Sequence, residues 1–179
     1  MSKLENKKKL MFVKGEDFYF FTYNLLVLLD TLGCYDASKK FTDYRKLAFL
    51  IEFVANSSLG EVLQAYRGME TNKINLVDKE SLAKAYSDGM IRVNQIMRLI
   101  FYLEKKGVLS LERVSRGNTI NLWLNKSNIP NEYLNKNLFK VEYENANFLK
   151  RWLPSLKRLT LKYLLEKIFG NYGIKTWQV

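Results

Sequence analysis

Residues 77–125, VDKESLAKAYSDGMIRVNQIMRLIFYLEKKGVLSLERVSRGNTINLWLN, are the stretch on which the fold turns. Asp78 has the chemistry of a helix cap, and Leu82, Ala83 and Tyr86 share one face of a short helix over Lys79–Tyr86. Ser87-Asp88-Gly89 then reads as a tight turn. A longer helix is expected over Met90–Lys106, where Val93, Ile96, Ile100 and Leu103 recur at helical spacing. Gly107 closes it after Lys105 and Lys106, which place positive charge at the negative end of the helix dipole. Two alternating runs follow, Val108–Val114 and Thr119–Asn125, joined by Ser115-Arg116-Gly117-Asn118. Leu109 and Leu111 share one face of the first run; Ile120, Leu122 and Leu124 share one face of the second. Helix, turn, helix and hairpin, in that order, predict a winged helix-turn-helix in a mostly α protein.

The flanks extend this helical frame. Residues 1–14 form a basic arm with five lysines against one glutamate. An N-terminal helical region, residues 15–76, holds helices expected over Asp17–Leu32, from Thr42 or Asp43 to Val54, and over Glu61–Arg67. Asn56-Ser57-Ser58 reads as the end of the second of these. After the winged unit comes an asparagine-rich linker, residues 126–144, with Pro130 inside it. The C-terminal amphipathic region, 145–179, reads as Asn145–Leu153, an interruption at Pro154, and a second helix over Leu156–Phe169.

Composition narrows the chemistry. The chain has 179 residues and no histidine, which removes histidine-based acid–base catalysis and the common zinc and non-haem iron sites. The single cysteine, Cys34, forms no intrachain disulfide and no thiolate cluster, which points to a cytoplasmic protein. No phosphate-binding glycine loop is present, no cofactor is expected, and the chain reads as a non-enzyme. No secretory signal is evident at Met1–Lys9, and the most apolar run, Phe18–Leu32, carries Thr22, Asn24 and Asp30 and is too short to span a bilayer.

A net charge of +11 favours a polyanionic partner. Seven basic residues against Glu166 alone in residues 150–179 make the C-terminal end basic too. That charge belongs equally to a solvated face whose lysine stems cover the edge of the core. On the second helix of the motif, Asn94, Gln95, Arg98, Tyr102 and Lys105 are expected to point outward. Asparagine and glutamine suit adenine, and arginine suits guanine. The same residues also fit an ordinary exposed face, or a face docked on protein. Arg116 and Asn118 at the wing tip suit a DNA groove, or simply a hairpin turn. Lysine outnumbers arginine, so contact with double-stranded DNA is expected to be mainly electrostatic and weak in sequence preference. The aromatic run around Phe18, Phe20 and Phe21, with Leu28 further on, makes its helix apolar on every side. Such a helix is central to a core or covered by a partner, and partner binding is the expectation.

The order of parts also carries a resemblance. Leu25-Leu26-Val27-Leu28-Leu29-Asp30 is followed by Asp43-Tyr44-Arg45-Lys46-Leu47-Ala48-Phe49-Leu50, then the winged unit, then Phe148-Leu149-Lys150-Arg151-Trp152. Over residues 18–169 this resembles the middle component of bacterial ABC-three-component systems, of which the Lamassu anti-phage and anti-plasmid systems are the best known. The resemblance rests on loose apolar patterns and maps no catalytic residue onto the chain. It implies a kleisin-like, non-enzymatic subunit that works with an SMC-like ATPase and an effector, often a nuclease, and that senses or holds foreign DNA. The rival reading is a stand-alone winged-helix transcription regulator or plasmid replication initiator, dimerised through the C-terminal helix.

Overall fold

A computed structural model describes residues 18–115 and 119–177; the predicted basic arm and wing tip lie outside them. Helix α1 spans Phe18–Thr31, α2 Arg45–Ala55, α3 Ser57–Ala65, α4 Leu76–Lys105, α5 Lys140–Trp152 and α6 Leu161–Ile168. Strands β1, Leu109–Val114, and β2, Thr119–Leu124, form an antiparallel pair that sets Leu111 opposite Leu122 and Glu112 opposite Asn121. The described residues are mostly helical with one small sheet.

Helix α1 lies at the centre. Every residue from Phe21 to Leu29 is buried, with α2 and α5 packed on it and β2 against it. Two of its polar side chains turn back to their own helix: Thr22 Oγ1 donates to the Phe18 carbonyl at 2.7 Å and Asn24 Nδ2 to that of Phe20 at 2.8 Å. Gly33, at φ 66°, ends the helix, and the Cys34 N–H returns to the Leu29 carbonyl at 3.0 Å. Beyond it, residues 34–44 run along the free edge of β2. Leu124 N–H donates to Cys34 O, Phe41 and Leu122 exchange both backbone bonds, and Tyr44 N–H donates to Ile120 O.

Helix α4 corrects the expected helix-turn-helix. Ser87-Asp88-Gly89 is not a turn: the chain stays helical for 30 residues, from Leu76 to Lys105. Two contacts hold it. Asp88 accepts from Lys84 one turn back at 2.6 Å and lies 3.7 Å from Arg92 one turn on. Gly89 is buried against Phe49 of α2, and a Cβ there would sit 2.4 Å from the ring. A glycine within a helix costs about 1 kcal/mol relative to alanine; here it admits the ring and lets α2 and α4 close together. Arg92 also pairs with Glu52 of α2. The cap lies earlier than Asp78: the Asn75 side chain accepts from the Asp78 N–H at 2.7 Å.

The hairpin is as expected, with Leu109, Ile120, Leu122 and Leu124 buried. Its base is fastened to the end of α4. Gly107, at φ 72°, stops the helix, and its carbonyl accepts from both Asn125 Nδ2 and Asn128 Nδ2 at 2.9 Å.

Other boundaries shift. Asn56 ends α2 but also caps α3, accepting from Ser58 N–H, so Ser57 and Ser58 are helical. Helix α5 begins at Lys140 rather than Asn145. The break at Pro154 is present and longer than expected: a turn at Leu156–Arg158 precedes α6, which Thr160 caps. One continuous hydrophobic cluster joins the described helices and the sheet.

The Asp43-Tyr44-Arg45-Lys46 segment proves to be a structural clasp. Asp43 takes the left-handed conformation at φ 58° and receives Arg45 Nε at 2.9 Å and Nη2 at 2.8 Å. Lys46 is wholly buried. Its Nζ donates to the carbonyls of Leu159 at 2.8 Å and of Leu156 and Lys157 at 3.1 Å, tying the start of α2 to the turn before α6. Burial pulls the Lys46 ammonium down to about 7, against the smaller opposing pull of Asp43.

From about pH 7 to 10 the unfolded chain therefore binds more protons at Lys46 than the folded chain, so stability rises with pH. Between pH 7.5 and 9 the gain approaches about 2 kcal/mol, at about 1.4 kcal/mol per pH unit. Urea unfolding at the two pH values measures it. Lys46→Met should flatten the dependence; equal slopes in the two proteins contradict the assignment.

Candidate nucleic-acid interface

The second half of α4 carries the outward residues expected from its periodicity. Asn94, Arg98 and Lys105 are exposed, Tyr102 is 45% exposed, and Gln95 is half-buried. The spacing of 94, 98, 102 and 105 follows successive turns, so these side chains form one row. Arg92, on the same helix, faces inward to Glu52 and lies 5.6 Å from the centre of the Phe21 ring. The row is therefore selective about its cations.

Further charge flanks it. Lys106 Nζ stands 5.5 Å from the Tyr102 ring centre. Arg113 of β1 lies 5.5 Å from the ring centre of Phe101 and 3.7 Å from Glu104. Sequence periodicity missed Lys106 and Arg113, although their position beside the helix end and on the outer strand face could have identified both. Arg116 and Asn118, the expected wing-tip residues, lie outside the described residues.

The expected partner surface on α1 needs correction. Phe21 is only 5% exposed, Leu28 is fully buried and Phe20 is half-buried, because α2, α5 and β2 of the same chain cover this helix. Only its first residues face outward. Phe18 is 40% exposed and meets Tyr102 edge-on at 4.9 Å, beside the exposed Tyr19. These rings border an apolar groove of about 660 Å³ between the start of α1 and the end of α4, with Ile129 and Tyr133 on its far wall.

The remaining candidate for nucleophilic chemistry is quiet. Cys34 is buried and its thiol is pushed up to about 11 by burial, far from the low values of reactive cysteines. Among the described residues no cluster of acidic or cysteine side chains is arranged to hold a metal ion, and no helix is long and apolar enough to cross a membrane.

No protein-family model, curated protein or solved structure matches the chain.

Proposed function

We propose that the chain is a non-enzymatic, DNA-engaging accessory subunit, with the outer face of α4 and the adjoining hairpin as its nucleic-acid surface. The observation that carries this reading is the exposed row Asn94, Arg98 and Lys105 on the outer face of α4, with the exposed Arg113 of β1 beside it. The order of elements supports a winged helix drawn over different boundaries from those in the sequence. Helix α1, the edge segment paired to β2, α2, then α4 and the hairpin follow in turn. In this arrangement α2 and α4 are the helix pair, α3 lies in their connection, and the second half of α4 is the recognition helix.

Following the resemblance, its partners are an SMC-like ATPase and an effector, possessing the catalytic machinery this chain is proposed to lack. The apolar groove at Phe18, Tyr19 and Tyr102 is then the docking place, in place of the buried part of α1. The regulator reading loses its dimer helix. Helix α6 is eight residues long, and its apolar side chains Leu161, Leu164, Leu165 and Ile168 are buried in the chain's own core.

Replacing Arg98 and Lys105 together with alanine should weaken binding to duplexes of unrelated sequence alike. Loss of two phosphate contacts should reduce the slope of log affinity against log salt by about 2. A fluorescence-anisotropy salt titration measures it. Retained affinity and slope, or a footprint specific to one palindrome, count against the proposal. In co-expression with a neighbouring SMC-like ATPase, this variant should still co-purify, whereas Phe18→Asp with Tyr19→Asp should not.

A further inference from the structure

We infer that the cleft between residues 66–69 and the 152–167 segment binds an unpaired strand of nucleic acid. This cleft measures about 1030 Å³ and opens to solvent. Arg67, Arg158 and Lys167 line it and no carboxylate does. Among the described residues none of the three makes a salt bridge, although the fold pairs other cations such as Arg45, Lys84 and Arg92. Aromatic side chains line the same cleft, Tyr66 and Trp152 half-buried against the core and Tyr163 open to it. Tyr163 is 49% exposed, and Lys167 Nζ lies 5.2 Å from its ring centre.

Uncompensated cations select phosphate, and the exposed ring of Tyr163 can accept the face of a base. Together they define a stacking platform with a charged backbone track. A duplex cannot use it, because its bases are already stacked on one another and present only their edges. The neighbouring cleft, about 830 Å³, makes the contrast: Asp43 and Glu166 line it among its cations, so it lacks this single-signed character.

The site is independent of the duplex-binding reading, since none of Asn94, Arg98, Tyr102 or Lys105 lines it. The probe is a labelled oligothymidylate of about 12 residues, within the ~4–16-nucleotide span of single-strand sites. Its anisotropy is followed with the whole chain, alongside a labelled duplex. Tyr163→Ala should weaken the oligothymidylate about tenfold and leave the duplex unchanged, as expected for loss of one stacked base. Arg67→Ala with Lys167→Ala should weaken it further and reduce its salt dependence. Circular dichroism melting confirms that the variants are folded.

The inference is overturned if neither variant changes oligothymidylate binding, or if strand and duplex weaken equally. Displacement of the oligothymidylate by ATP at equal phosphate concentration overturns it too, because the ligand is then a free nucleotide. The Arg98→Ala and Lys105→Ala variant separates the two readings. It should lose duplex and keep the strand, and its failure to lose duplex indicts the α4 surface alone.

Discussion

Leu28→Asp should leave the isolated chain mostly unfolded at neutral pH. Leu28 has no exposed surface and sits in the last turn of the central helix, three residues before its end. Removing its burial forfeits roughly 1.5–3 kcal/mol. The new carboxylate must also be neutralised to remain inside. Keeping an aspartate protonated at pH 7, about 3 units above its ordinary value, costs about 4 kcal/mol. An unpaired carboxyl group adds about 1–3 kcal/mol. The sum rivals the whole stability of an ordinary domain, about 5–15 kcal/mol. The sign of the pH effect follows: a group whose folded pKa is raised loses stability as pH rises. Lowering the pH from 7 to 5 should therefore recover roughly 2–3 kcal/mol. Far-ultraviolet circular dichroism and size-exclusion chromatography at the two pH values test this. A folded, monodisperse Leu28→Asp chain at pH 7 would restore the view of this helix face as a partner surface.

The second large effect is expected at Gly89. A Cβ at this position would stand 2.4 Å from Cδ1 and 2.8 Å from Cε1 of Phe49, whose ring is fully buried between α2 and α4. Gly89→Val should cost about 3 kcal/mol or more, at the upper end of ordinary overpacking, because two packed helices must separate. In an unobstructed helix interior, removing glycine would instead gain up to about 1 kcal/mol, so even the sign is informative. Phe49→Ala is itself costly, by about 3–5 kcal/mol, but it makes room. In that background Gly89→Val should cost much less, and a urea-denaturation double-mutant cycle measures the difference. Additive effects would place the two residues out of contact.

The same pair explains what the sequence concealed. Ser87-Asp88-Gly89 has the composition of a turn, and composition alone does not say whether a glycine is chosen for its backbone or for its missing side chain. Here Phe49, 40 positions away in the chain, makes the choice. Asp88 likewise joins Lys84 and Arg92 along the helix instead of lying in a turn. The hairpin was legible because alternation of period two is local, and Gly107 and Asn125 act on their immediate surroundings. The row from Asn94 to Lys105 was legible for a similar reason: once a helix is set, its buried Ile96, Leu99, Ile100 and Leu103 fix which residues point away. Around α1 that logic fails. A helix apolar on every side announces burial without saying which chain supplies the cover, and β2 and α5 arrive from far along the sequence. Lys46 was hidden for the opposite reason, since a lysine in a basic chain gives no local sign that backbone carbonyls will enclose it.

An unbroken α4 also has a mechanical meaning. Thirty residues of helix make a rod roughly 45 Å long, at about 1.5 Å per residue. Phe49 meets it near the middle, so the arm from Gly89 to Lys105 is about 24 Å. With no flexible joint at Gly89 to absorb rotation, a 10° tilt about that contact carries the hairpin end through about 4 Å and swings the opposite end the other way. The asparagine bonds at Gly107 tie the base of the hairpin to the rod, while the edge segment 34–44 ties β2 to the central helix. A load on the hairpin therefore has two routes into the fold, along the rod and through the edge segment to the central helix.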